Sequence, residues 1–378
     1  MKDLEFMLTE DQLSLRDMVR DFAQKRVKPV CRAAERDSIV PQELVDEAMD
    51  LGLNLCTLPE KYGGLGLDNL TFAIIKEEMT RGDMGFPARI FGFGFGPVRI
   101  AGNEWQKQMV ADVFLNRGIM AYALTESGAG SNAVAMSTTA RKEGGEYIIN
   151  GGKSFITNGN VAEMVTTFAV TDKEKGAKGI TAFLLPRNTP GFTWGPPEDK
   201  MGQRCVHVAP LYFDEVRLPE KYRLGEEGEG FKIAMKILNE SRPVTAATAV
   251  GLAQQAMDEA IEYSKTRVVF GRPICENQAI SFMLADMDMK INAARSMLWN
   301  VCRSADQGIL NRKLISEAKA FATDVAMEVT TNAVQVLGGN GYTKEYPVEK
   351  LMRDAKILQI FEGTNQIHRN IIASALLK

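Results

Sequence analysis

Residues 353–369 read RDAKILQIFEGTNQIHR, and just upstream residues 333–347 read AVQVLGGNGYTKEYP. In the first stretch Glu362 stands between an apolar run (Ile357, Leu358, Ile360, Phe361) and a turn signal, Gly363–Thr364–Asn365. A carboxylate that leaves an apolar segment at a glycine is placed to lose part of its water. Desolvation raises its pKa and makes it a better base near neutral pH. On local residues alone, an ordinary surface charge at a helix end fits as well.

Working outward, the chain has 378 residues, 45% of them hydrophobic, enough to bury a large core and divide into two or three domains. Charged residues make up 25% with a net charge of −3, without the basic field that a nucleic-acid or membrane-surface binder needs. The opening MKDLEFMLTEDQ lacks a basic segment leading into an apolar one, and no apolar stretch is long enough to cross a bilayer. A cytoplasmic chain with no signal peptide and no membrane insertion is therefore expected. Five scattered cysteines without a C-x-x-C pair fit a reducing compartment, and two histidines argue against a histidine metal site.

The hydrophobic pattern changes twice. Over residues 1–118 it is helical. Thr9-x-x-Gln12 forms a capping-box signal, Leu15, Met18, Val19 and Phe22 follow at helical spacing, and Pro29 is expected to stop that helix. Further helices are expected through 41–51, 70–81 and 104–115. Over residues 119–226, short β-branched or aromatic runs at 147–149, 164–170, 179–185 and 210–218 predict a small antiparallel β-domain, with a proline-bearing loop at 186–197. Over residues 227–378 helical periodicity returns. Leu252, Ala256, Met257 and Ile261 mark one face, Phe282, Met283, Met287 and Ile291 another, and a third helix runs through 316–336, as in a bundle. The fold class is mostly α with a central β-domain.

Several stretches carry candidate chemistry. Residues 122–131, YALTESGAGS, set small residues and a serine where backbone N–H groups can approach an anion or a flat ring, or simply turn. Residues 151–159, GGKSFITNG, contain GKS, but Tyr147 stands where a phosphate loop requires its first glycine, so a nucleoside triphosphatase is rejected. Residues 91–97, FGFGFGP, look like a dinucleotide fingerprint, yet no strand precedes them and no acidic partner follows at the right distance. Asn239–Glu240–Ser241–Arg242 precede Pro243, and an arginine near a helix start is ordinarily a solvated charge.

Taken together, these stretches resemble the acyl-CoA dehydrogenases, flavoproteins that desaturate acyl thioesters, over nearly the whole chain. Residues 362–366, EGTNQ, are similar to the family's EGT-x-Q motif, and residues 335–339, QVLGG, to its QVLGG-type turn. The resemblance implies an N-terminal helical domain, a small β-barrel or sandwich domain and a C-terminal four-helix bundle. It implies FAD as cofactor, and Glu362 as the catalytic base that removes the α-proton while the β-hydrogen leaves as hydride to flavin N5. The product would be a 2,3-enoyl-CoA, with electrons passed to an electron-transferring flavoprotein.

The same resemblance assigns residues. Residues 122–131 are similar to YxxTEPGAGS, which makes Tyr122, Leu124, Thr125 and Ser131 flavin contacts, with Ser131 also at the thioester. Ser127 replaces the usual proline and Asn132 the usual aspartate. Residues 153–159 are similar to K-x-W-I-T-N-G, which places Phe155, in place of tryptophan, and Thr157 at the flavin ring. Thr364 and Gln366 join them. Arg267 and Phe270 (R-x-x-F-G), Gln278, Gln335, Gly338 and Gly339 would meet the flavin of a neighbouring subunit, which implies a homo-oligomer, commonly a tetramer. Asn239, Arg242 and Gly363 would contact the acyl-CoA. Ser241 occupies the position from which some relatives supply the glutamate, and Glu240 would point about 100° away around the helix. Phe91, with Phe93 and Phe95, lies where the family lines its acyl pocket, which suggests a compact, branched or cyclic acyl group. Arg89 suggests instead a substrate with a second carboxylate, and core packing of the rings beside a surface arginine stays open. The alternatives are an acyl-CoA oxidase (disfavoured because those chains are usually much longer), an enoyl-CoA reductase direction, a dicarboxylyl-CoA dehydrogenase and a non-catalytic flavin-binding protein.

Overall fold

The computed structural model describes residues 2–378. The first long helix, α1 (Glu10–Phe22), begins on the expected capping box: the Thr9 hydroxyl accepts from the Gln12 N–H, and the Gln12 side chain accepts from the Thr9 N–H, both at 3.2 Å. Pro29 does not stop the helical path. A π turn (Ala23–Val27) and a 3-10 turn (Lys28–Val30) carry it into α2 (Cys31–Asp37). Proline has no N–H to offer, and it falls where the pairing changes from i−5 to i−3, so no regular α-helical bond is lost.

Helices α3 (Gln42–Asp50), α4 (Asn69–Gly82), α5 (Phe86–Phe91), α6 (Gly96–Ala101) and α7 (Glu104–Leu115) complete the first part. Capped by the Asp68 carboxylate on the Thr71 N–H at 2.7 Å, α4 is buried on nearly all sides, its charged Lys76, Glu77 and Glu78 included.

The strands are β1 (Met120–Ala123), β2 (Thr139–Glu143), β3 (Glu146–Thr157), β4 (Met164–Val170), β5 (Ile180–Pro186), β6 (Phe192–Trp194), β7 (Val208–Pro219) and β8 (Arg223–Leu224). They form one sheet in the order β6-β7-β3-β2-β4-β5-β8, with β1 on β4. The expectation of a purely antiparallel domain is corrected: β1 runs parallel to β4, and β2 touches β4 in parallel register at Thr139–Val170. The chain enters the sheet from α7 and needs no hairpin there. Two further corrections concern β3, much longer than the 147–149 run, and β6, which lies inside the proline-bearing loop. Glycines 151 and 152 do not end β3, because a bulge absorbs them against β7. The sheet folds over its own core, bringing Phe183 of β5 to 5.0 Å from Tyr147 of β3, although the two strands are not neighbours. Met164 and Phe168 of β4 face the helices, while Val165 and Ala169 face that inner core. Burial on both faces explains why this strand lacks polar alternation.

Helix α8 (Gly230–Thr266) runs through Pro243, so Arg242 sits in mid-helix rather than near a helix start. Burial of almost every residue from Arg242 to Met257 outweighs the lost ladder bond. At Gly251 a Cβ would lie 2.3 Å from the Glu77 carbonyl oxygen, so glycine allows α8 to touch the backbone of α4. A short hairpin, β9 (Val268–Val269) with β10 (Arg272–Pro273), leads to α9 (Gln278–Asp306), α10 (Arg312–Leu337), α11 (Val348–Leu358) and α12 (Asn365–Leu376). One core joins α4, α8, α9, α10 and α11 through Ile74, Val250, Ile291, Val329 and Ala355. Among the described residues, no helix is long and apolar enough to cross a membrane.

Candidate active site

Glu362 lies in the turn between α11 and α12. Its φ is 59° and that of Gly363 is 95°, two successive left-handed residues that reverse the chain sharply. A non-glycine residue holds this conformation only where its surroundings enforce it. Three helices do so. From α8, Arg242 Nε donates to the Glu362 carbonyl at 3.2 Å. From α10, Lys319 Nζ donates to the Gly363 carbonyl at 2.8 Å and to Asn365 Oδ1 at 3.1 Å. On α12, capped by Thr364, the ring of buried His368 lies under Gly363, whose Cβ, if present, would sit 3.3 Å from Nε2. The ring nitrogens lie near the Glu362 and Gly363 backbone without well-formed hydrogen-bond geometry. Burial, with Lys319 and Arg242 nearby, pushes the His368 pKa down to about 3, so the ring is neutral.

The Glu362 carboxyl is enclosed by protein while keeping some surface open. Burial raises its pKa above the usual carboxylate range; a hydrogen bond from Ser241 and the charges of Arg242, Lys319 and Lys76 oppose that rise. Ser241 thus serves as a donor to Glu362. Glu240, one residue earlier, points away and pairs with Arg99, as its helical angle required.

Tyr122 lies within electrostatic reach of the carboxyl, and Phe93 stacks on it with centroids 4.5 Å apart. Phe91 is buried edge-on to Phe72 at 5.1 Å, with the Lys76 amine 5.1 Å above its ring, and Phe95 is buried against Tyr62. The three phenylalanines therefore do not line one wall. Half-buried Arg89 lies within electrostatic reach of Asp46, and one of its terminal nitrogens is buried without a partner. Arg242 is buried, with Nη1 donating to Asn239 Oδ1 at 2.7 Å.

The two stretches that resemble flavin-binding segments are neighbours. The Ser154 N–H donates to the Thr125 carbonyl at 2.8 Å, and Lys153 Nζ donates to Glu126 at 2.7 Å inside the sheet. Lys153 of the GKS triplet is therefore a buried ion-pair partner, not a phosphate ligand. Glu126 also accepts from the N–H groups of Ser137 and Thr138, and despite burial these donors hold its pKa down near 2. Above this platform the glycine-rich turn stands open. A Cβ at Gly128 or Gly130 would meet nothing within 4 Å, Ser131 is exposed, and the Phe155 ring is 64% exposed on a bulge with φ of 58°. Leu124 is buried, and Thr157 ends β3, paired with Val208 of β7.

Arg267, Phe270, Gln278, Gln335, Gly338 and Gly339 are all exposed. Phe270 is fully exposed with φ of 53°, and Gly338 and Gly339 have open space where a Cβ would be. Among the described residues, no hydrogen bond or ion pair links this group to Tyr122–Ser131 or to Phe155 and Thr157. Thr364 caps α12 and Gln366 is exposed on it.

Sequence reading missed Ser241 as a partner of the base, and Lys76, Lys319 and His368 altogether. Lys319 is the single charge within the run AKAFA, whereas Lys76 in AIIKEEM, Ser241 in NESR and His368 in NQIHRN stand among other polar residues that mask them. An open cleft of about 640 Å³ beside α7, lined by Trp105, Met109, Asp112 and Glu163, contains none of these residues.

Comparison with known proteins covers the chain in three consecutive stretches. The models of the acyl-CoA dehydrogenase N-terminal, middle and C-terminal domains match residues 9–115, 121–216 and 228–377. An acyl-CoA dehydrogenase of Bacillus subtilis is 42% identical over 374 residues, covering 98% of this chain and 99% of its own length. The structure of butyryl-CoA dehydrogenase from Megasphaera elsdenii superimposes with a TM-score of 0.95 at 42% identity, covering 98% of this chain and 99% of that one. A chain from a structure described as the electron transferring flavoprotein of Acidaminococcus fermentans has a TM-score of 0.95 at 43% identity, with 98% and 99% covered.

Proposed function

Because the chain belongs to the acyl-CoA dehydrogenase family, a family of oxidoreductases, we propose that Glu362 is the base that removes the α-proton of an acyl-CoA as it is oxidised to the 2,3-enoyl-CoA. The observation that carries this reading is the enforced left-handed turn. It presents an enclosed carboxyl, raised above its usual pKa, beside Tyr122 and Phe93. Such a carboxyl binds a proton more readily than an exposed one, which suits a base acting on a weak carbon acid. Arg242 and Lys319 hold the carbonyls on either side of the turn and so fix where the carboxyl points. Among the described residues the Glu362 N–H takes no partner, so it is free to donate to the thioester oxygen as negative charge develops there.

FAD, as the family's cofactor, supplies the hydride acceptor for the β-hydrogen. The open glycines, the uncovered Phe155 ring and exposed Ser131 would accommodate a flat ring system, with Tyr122, Leu124, Thr125, Thr157, Thr364 and Gln366 as further contacts by family resemblance. The exposed group around Arg267 and Phe270, with Gln278, Gln335, Gly338 and Gly339, fits the cofactor of a second subunit, so the working form is a homo-oligomer, by family precedent a tetramer. The likeness to the Acidaminococcus chain supports an electron-transferring flavoprotein as acceptor.

The test is anaerobic reduction of the flavin by a panel of acyl-CoAs. Glu362→Gln should lose turnover by about 10²-fold to 10⁴-fold while keeping FAD. Near-normal turnover by that variant would rule out Glu362 as the base. If only enoyl-CoAs oxidise the reduced protein, the enoyl-CoA reductase direction replaces the dehydrogenase one.

A further inference from the structure

Lys76 lies on α4 in the run AIIKEEM, and it is 9% exposed. The two glutamates beside it are taken by other cations: Glu77 by Arg295, and Glu78 by Arg20 and Arg81. No hydrogen-bond acceptor or ion-pair partner of Lys76 occurs among the described residues. Its amine stands 5.1 Å over the Phe91 ring, and the carboxylate within electrostatic reach of it is Glu362. A buried ammonium without an acceptor is costly.

The Lys76 amine and the Glu362 carboxylate lie within electrostatic reach of each other, and the amine caps the Phe91 ring, which packs apart from the Phe93–Tyr122 stack. An acyl chain whose α-carbon meets Glu362 engages that carboxylate and leaves Lys76 with an aromatic face and no hydrogen-bond acceptor of its own. A tail that ends in a carboxylate supplies both the missing charge and the missing acceptors; a neutral oxygen supplies only an acceptor, and a methyl group neither. We propose that Lys76 is a specificity-determining residue that receives a carboxylate at the far end of the acyl group, which makes the substrate class an ω-carboxyl acyl-CoA. The proposal rests on the reading of Glu362 as the base. It gives the second-carboxylate role to Lys76 and not to Arg89, because it is Lys76 that lies within electrostatic reach of Glu362. Burial pushes the Lys76 pKa down to about 7, and a bound carboxylate would restore its charge.

The test compares holoenzyme with Lys76→Met. Methionine is of similar length and removes a buried cation that has no partner, so folding is not expected to suffer. Glutaryl- and adipyl-CoA are set against pentanoyl- and hexanoyl-CoA of the same chain lengths. The wild type should favour the ω-carboxyl member of at least one pair, and in the variant the kcat/KM ratio of that member to its partner should fall about 30-fold or more, a ratio in which any effect of the lost Lys76 charge on Glu362 cancels. Equal losses on both members, or no wild-type preference, overturn the proposal and leave the dehydrogenase reading standing. If no thioester reduces the flavin, that reading fails instead, and binding decides the role of Lys76. Affinity for the ω-carboxyl thioester falling about tenfold or more between Glu362→Gln and Glu362→Gln/Lys76→Met upholds it, and equal affinity overturns it.

Discussion

Ser241 illustrates how one hydroxyl can set the working range of a base. Burial raises the Glu362 pKa, and the Ser241 hydrogen bond, which favours the ionised form, holds that rise in check. Removing the donor leaves burial less opposed, so the pKa of Glu362 climbs further. In Ser241→Ala the acid limb of the kcat/KM–pH profile should therefore move to higher pH. The loss should reach about tenfold on the acid side and nearly vanish well above neutrality. A profile that falls evenly at every pH would mean that Ser241 orients the carboxyl without tuning it. Glu362 itself could be found from EGTNQ because its chemistry is written in a contiguous motif. Ser241 could not: its partner is 121 positions away, and in sequence it is one small residue between Glu240 and Arg242.

At the scale of elements, the turn between α11 and α12 depends on a histidine that stays neutral. The ordinary histidine value is 6.5, and burial lowers that of His368 to about 3 in the folded protein. The unfolded chain therefore binds a proton that the native one refuses. Stability from this group is complete above about pH 6.5 and is lost as pH falls towards 3. In His368→Asn, the drop in Tm between about pH 7.5 and 5 should be smaller than in the wild type, even if the variant starts lower. An unchanged drop would place the acid sensitivity elsewhere.

Other elements show why some of the fold was legible and some was not. The ends of α7 and β4 follow from local pattern alone, because each is bounded by polar caps or turns. The continuation through Pro29, the passage of α8 through Pro243 and the extension of β3 past two glycines all break local rules. In each, tertiary burial or a bulge compensates for the missing donor or side chain, and neither is visible in a window of ten residues.

For the whole molecule, the question is what holds three dissimilar parts around one carboxyl. One answer is a buried charge cluster. Lys350 of α11 donates to Asp83, just past α4, at 2.7 Å and to Asp354 at 2.6 Å. Asp83 also accepts from the Gly85 and Phe86 N–H groups that open α5, and Asp354 accepts from the Gln203 N–H in the segment before β7. The first helices, the sheet and the bundle thus meet at one ammonium, on the helix whose end leads into Glu362. Burial opposes the Lys350 charge, but the two carboxylates keep it protonated. Lys350→Met would strand both acids without their cation, at a cost of about 3–5 kcal/mol read from denaturant unfolding. The triple variant Lys350→Met/Asp83→Asn/Asp354→Asn removes every charge of the cluster and should recover much of that loss, since what destabilises is an unpaired buried charge rather than the absence of the pair. If the single and triple variants are equally unstable, packing of the lysine stem holds the junction. If the single variant costs under about 1 kcal/mol, the cluster contributes little and the helix–sheet cores alone align α11.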